Sequence, residues 1–146
     1  MALSTPCVNR TSRLPYLSLR AAVQAAQTGE ISCQASCAYY LDRIARFGRR
    51  DGLNCVLTIN PRAMDEARAL DAAAGRRSLP LCGAMVLVKD NMDVAGLPTT
   101  AGSIALRDNV ARADAGIVRL LRRLGAVILG KTNMTEFANC LTQGMP

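Results

Sequence analysis

Residues 81–103 read LCGAMVLVKDNMDVAGLPTTAGS, and this stretch decides the fold. It carries an unbroken apolar run, Met85-Val86-Leu87-Val88, closed by Lys89. A short run with no polar alternation is the pattern of a strand covered on both faces, as in a parallel sheet. The residues after it, with Gly96, Pro98 and Gly102, read as a long loop. Lys89 stands out by type, because only Lys89 and Lys131 are lysines among 18 basic residues. Arginine keeps its proton in a protein, whereas lysine gives it up readily on burial. A lysine at a buried strand end is therefore a candidate base. The competing reading lays its stem along apolar surface with the ammonium in water, and residue type alone leaves both open.

Working outward, Asp114 is expected to cap a helix carrying Ile117, Val118, Leu120, Leu121 and Leu124, stopped by Gly125. A second buried strand follows over 127–129. Strand, loop, helix and strand form a crossover, expected to be right-handed with parallel strands. Lys89 and Lys131 then both lie near carboxyl strand ends, where open α/β sheets place their ligands. Upstream, residues 1–15 read as a flexible tail. Ser18 caps a helix with Leu19, Ala22, Val23 and Ala26 on one face and Gly29 as its stop. Ser32 caps another, to about Phe47, with the stripe Cys33, Cys37, Tyr40, Leu41, Ile44 and Phe47, ended by Gly48 and residues 49–51. Residues 55–59 alternate weakly as a strand, and Asn60-Pro61 opens a helix expected to run to Gly75. The fold class is α/β: an incomplete α/β/α layered sheet with N-terminal helices.

Composition excludes several function classes. The net charge of +7 comes from scattered arginines, and with 3% aromatic residues no basic–aromatic interleaving appears, so no nucleic-acid partner is expected. No apolar run approaches a membrane span, so no membrane partner is expected either. The absence of histidine removes a histidine-based triad or metal site from these residues and leaves lysine as the base. Six cysteines form no CxxC pair, which fits a reducing compartment, the cytoplasm, without disulfides or bound metal. The first 29 residues hold no acid, a transit-peptide composition, although residues 17–26 already read as a domain helix.

From Leu81 to Ala138 the chain resembles the amidase signature family of serine hydrolases. The residues that carry the resemblance are Gly83, VLVKDNMDVAG (86–96), Thr99-Thr100-Ala101-Gly102-Ser103, Asp114-Ala115 and LRRLGAVILGKTNMTEFAN (121–139). Weaker matches lie over 17–32 and 53–73. The resemblance implies hydrolysis of carboxamide carbon–nitrogen bonds by a serine–(cis-serine)–lysine triad, with no cofactor and no metal. Lys89 matches the lysine, the general base, and is expected to be largely buried in a complete enzyme. The glycine- and serine-rich signature carrying both serines lies beyond residue 146 in the family. Residues 16–146 are accordingly expected to form a partial amidase domain, inactive alone, with a small carboxamide as substrate and a complementing C-terminal segment as a possible partner. One departure is Cys82-Gly83-Ala84-Met85, where the family usually reads His-Gly-Ile/Val-Pro. For the threonines and serine of 99–103, loop capping is as good an explanation as contact with the triad.

Two rival functions stand beside this one. A non-catalytic remnant or truncated gene product would keep these elements without activity. Residues 125–132, GAVILGKT, also fit the phosphate-loop pattern GxxxxGK[ST] of nucleotide-binding proteins. That loop must lie between a strand and a helix with its middle residues curled around phosphate. Here the middle residues are AVIL, which read as a strand, and a helix precedes them. Lys131 is expected to be structural or solvated, and Gly130 to Asn133 to lead into a short helix bearing Glu136 and Phe137.

Overall fold

The computed structural model describes residues 10–48 and 52–139. Residues 10–15, expected in the tail, lie in a 3-10 helix, Arg10–Tyr16, whose Leu14 is buried with Ala25 and Ile31. Residues 1–9 of the expected tail and the helix stop at 49–51 lie outside the described residues.

The two serine-capped helices form as the caps dictate. Helix α1 spans Leu19–Thr28, with Ser18 accepting from the Ala21 amide and Gly29 left-handed at its end. Helix α2 spans Cys33–Phe47, with Ser32 accepting from the Ala35 amide. The Asp71 carboxylate adds a second cap, accepting from the amides of Cys33 and Gln34 at 2.9 Å each. Within the expected stripe Phe47 stays exposed.

Strand β1, Val56–Ile59, leads into α3, Ala63–Ala72, which is shorter than expected at both ends. Asn60 is buried, and its amide nitrogen donates to Ile128 O at 2.8 Å and to Glu66 Oε1 at 3.1 Å. Its side-chain oxygen holds a turn at Arg62, so the helix starts after that turn. At the other end the chain turns extended at Ala73, before Gly75. Strand β2 spans Met85–Lys89, α4 Gly116–Arg123 and β3 Val127–Thr132. Asp114 does not cap α4. One carboxylate oxygen accepts from the Ala95 amide at 2.8 Å, the other pairs with Arg122 at 3.0 Å, and Ala115 takes the cap position without a side-chain bond. Of the apolar residues expected along this helix, Val118 is buried while Ile117 and Leu120 are exposed.

The sheet has the order β1-β3-β2. β2 and β3 run parallel, as the crossover requires, and β1 is antiparallel to β3. One face, with Val127, Leu129 and Ala84, packs into a core built with α1, α2 and α3. The other, with Val88 and Ile128, packs against Val94, Leu97 and Val118 of the crossover. Helices thus cover both faces of a small sheet, the expected layered α/β arrangement. Gly130 sits where β1 crosses most closely: a Cβ there would strike the carbonyl oxygen of Thr58.

Candidate active site at the carboxyl end of the sheet

The parallel pairing sets Val88 beside Lys131 and Lys89 beside Thr132, so both lysines reach the carboxyl end of the sheet. Their surroundings differ completely. Lys89 ends β2 and is exposed, free for a reactant or another segment to approach. Its carbonyl accepts from the Met92 amide at 3.0 Å, turning the chain back immediately after the strand.

Lys131 is wholly buried, so the solvated reading of it is excluded and a structural role fits. Its ammonium lies 3.1 Å from Asp90 Oδ1 and donates to Pro98 O at 3.0 Å and to Thr99 Oγ1 at 3.1 Å. Two hydrogen bonds and an ion pair thus compensate the buried ammonium, as its desolvation requires. Asp90 is equally buried, and its second oxygen accepts from the Thr100 amide at 3.0 Å and from the Thr100 hydroxyl. Thr100 Oγ1 also accepts from the Gly102 amide at 3.1 Å. Thr100 thus caps its loop, as one expectation had it, and both threonines bind the Asp90–Lys131 pair.

Beside this network lies a cleft of about 580 Å³ walled by Thr58, Pro98, Thr100, Ser103, Arg107 and Asn133. Ser103, the first serine after Lys89, is buried in its wall. The phosphate-loop reading fails on geometry. Residues 127–132 are extended and paired with strands on both sides, so their amides cannot converge on a phosphate. The short helix expected after them is a 3-10 turn, Glu136–Ala138.

The sequence profile described as Amidase matches residues 35–144. The chain belongs to the amidase family. A glutamyl-tRNA(Gln) amidotransferase subunit of Thermus thermophilus is 42% identical over 109 residues, covering 75% of this chain and 22% of that protein. Its counterpart from Nitratidesulfovibrio vulgaris is 58% identical over 76 residues, 52% of this chain and 16% of the relative. Among solved structures, the native peptide amidase from Stenotrophomonas maltophilia superposes with a TM-score of 0.76 at 38% identity, covering 84% of this chain and 26% of that one. An amidase family protein from Bacillus anthracis gives a TM-score of 0.78 at 36% identity, covering 99% and 30%. The chain thus spans about a fifth of the curated relatives and about a quarter of the solved amidases it matches.

In this member of the amidase family, the sequence singles out Lys89 and leaves Asp90, Thr99 and Thr100 as matching residues without a task. The signal was present in the charges. An aspartate directly after a buried strand, with a lysine near the end of a second buried strand, places opposite charges at the same end of adjacent strands. No helix among the described residues is long and apolar enough to cross a membrane.

Proposed function

We propose that this chain supplies the general-base lysine of an amidase-type hydrolase acting on carbon–nitrogen bonds of carboxamides. The observation that carries the reading is Lys89 in the VLVKDN segment, at the carboxyl end of parallel strand β2 and beside a strongly anchored loop. Its exposure in these residues leaves the burial a base needs to the complementing segment. In this role the neutral Lys89 amine accepts a proton relayed by a bridging serine from the nucleophilic serine. The nucleophile attacks the amide carbonyl, the C–N bond breaks, and the amine leaves with the relayed proton. Water then hydrolyses the acyl ester.

Residues 1–146 contain no glycine- and serine-rich signature, so this reading assigns both serines to a complementing segment, with residues 16–146 as a partial amidase domain. The four cysteines at 33, 37, 55 and 82 are free thiols, which fits work in a reducing compartment such as the cytoplasm. The relatives include a peptide amidase and part of an amidotransferase, so the substrate is proposed at the level of carboxamides.

The test is ammonia release from a simple carboxamide by residues 1–146 assembled with a serine-bearing amidase segment. Lys89→Ala should lower turnover by about 10²–10⁴-fold, the worth of general-base assistance. Lys89→Arg should be nearly as poor, because guanidinium stays protonated. The chain alone should release none. Full turnover by the arginine variant would remove Lys89 from the mechanism. Wild-type assembly without any turnover would favour the non-catalytic remnant.

A further inference from the structure

A buried ion pair stabilises a fold poorly, since desolvation consumes most of the Coulombic attraction, and well-packed apolar residues often do as well or better. What such a pair does supply is fixed geometry. The Asp90–Lys131 pair is attached to Lys89 by one peptide bond, and its bonds all converge on the loop that follows. Lys131 grips Pro98 and Thr99. Asp90 grips Thr100 through its side chain and Ala101 through its carbonyl, the latter at 3.1 Å. Met92 closes the turn back onto the Lys89 carbonyl. β2, β3 and the 98–101 loop are therefore tied at one point, directly behind Lys89.

We infer that Asp90, Lys131 and Thr100 are positioning residues for Lys89: they hold the end of β2 so that the Lys89 amine leaves the sheet in one direction. This rests on the reading of Lys89 as the base. Alternation along the chain supports the division of labour. Val88 and Asp90 are buried and Lys89 between them is exposed, so anchoring Asp90 inward at the turn that ends β2 holds Lys89 outward. Thr100 completes the anchor. Its hydroxyl meets Asp90 on one side and the Gly102 amide on the other, so one oxygen couples the charged pair to the loop.

The experiment is amide hydrogen exchange, followed by NMR, on residues 1–146 as wild type, Thr100→Val, Thr100→Ser and Lys131→Met. Thr100→Val removes a charge-assisted hydrogen bond and keeps the side chain's shape. It should speed exchange at Met92 and Ala101 by about tenfold. The Cys33 and Gln34 amides, which bond to Asp71 at the start of α2, should keep their rates. Thr100→Ser retains the hydroxyl and should restore protection at Met92. Lys131→Met should give the same local pattern, more strongly. Unchanged exchange at Met92, equal acceleration at Met92 and Cys33, or no rescue by serine overturns the inference. If Lys131→Met does not fold, the threonine variants decide alone. Because this readout needs no amide turnover, it is separable from the amidase reading. Undiminished turnover in Lys89→Ala assemblies would sink that reading and leave the exchange result standing.

Discussion

Lys131 and Asp90 form an ion pair 3.1 Å long with neither side chain reached by water, and they come from different strand ends of the sheet. The pair is hydrogen-bonded to Thr99, Thr100 and the Pro98 carbonyl. Breaking one half leaves the other charge buried and uncompensated. Lys131→Met or Asp90→Ala should therefore cost about 3–5 kcal/mol. Asp90→Ala combined with Lys131→Met, neutral on both sides, should cost clearly less than the sum of the single changes. Urea unfolding midpoints of the three variants check this.

Lys89 presents the opposite case. It is exposed, so Lys89→Ala should change stability by no more than about 0.5 kcal/mol, as surface substitutions do. A catalytic loss in this variant can then be read as chemistry and not as unfolding. A fall in its thermal midpoint comparable to that of Lys131→Met would contradict this expectation.

Gly130→Ala should unseat β1. The added methyl has nowhere to go because the obstacle is backbone, the Thr58 carbonyl and the Ile59 Cα. Exchange of the Val56–Ile59 amides should accelerate, while the β2–β3 pairing persists. Retention of native protection in β1 would show that the strand shifts without cost.

The thiols predict both reactivity and alkaline behaviour. Burial, then the nearby Asp71 charge, pushes the Cys33 thiol from its ordinary 9.0 up to about 12, and burial followed by the Glu66 charge lifts Cys37 to about 11. At neutral pH iodoacetamide should modify exposed Cys55 and spare Cys33, Cys37 and Cys82. Above pH 9 the unfolded chain releases protons that the native thiols retain. The stability these thiols contribute is thus intact below pH 9 and lost as pH climbs towards 12. Unfolding free energy measured across that window should decline less steeply in Cys33→Ala.

Asp71 governs the acid side. Burial works to raise its carboxyl, but the amides of Gln34 and Cys33, with the Arg76 guanidinium, outweigh it and hold the group below its ordinary 3.8. Its contribution is present above that value and disappears as pH falls through the lower native one. Asp71→Ala should cost about 0.5–2 kcal/mol, the range for losing a helix cap, and should flatten the acid limb of the stability curve.

What the sequence made legible was local. Ser18 and Ser32 cap their helices because a serine before an apolar periodic run has an amide partner within three residues, whatever lies elsewhere. The apolar runs before Lys89 and Lys131 became parallel strands, but only the central β3 is buried as expected. Met85, Val86 and Leu87 stay half-buried because β2 lies at the edge of the three-stranded sheet. Residues with two possible partners were read less well. Asp114 looks like a cap but is taken by Ala95 and Arg122, the latter a helical turn or more away. Asn60 looks like a cap and instead reaches Ile128 across the sheet. Lys131 was separated from water only by a loop that folds back from 32 positions earlier in the chain, and no local pattern announces that return.

The strand order has one further consequence. β3 is the last of the three strands to leave the ribosome and the only one that pairs with both others. Among the described residues, β1 and β2 have no strand to join until residue 132 has been made, and a nascent chain holds helices beside two unpaired segments. Val56 must wait for Thr132, so the sheet assembles late and all at once, through contacts distant in sequence. The buried charges close in that same step, since Lys131 arrives with the strand that completes the sheet. The carboxyl end carrying Lys89 is therefore unformed until β3 emerges and is set by that strand's arrival.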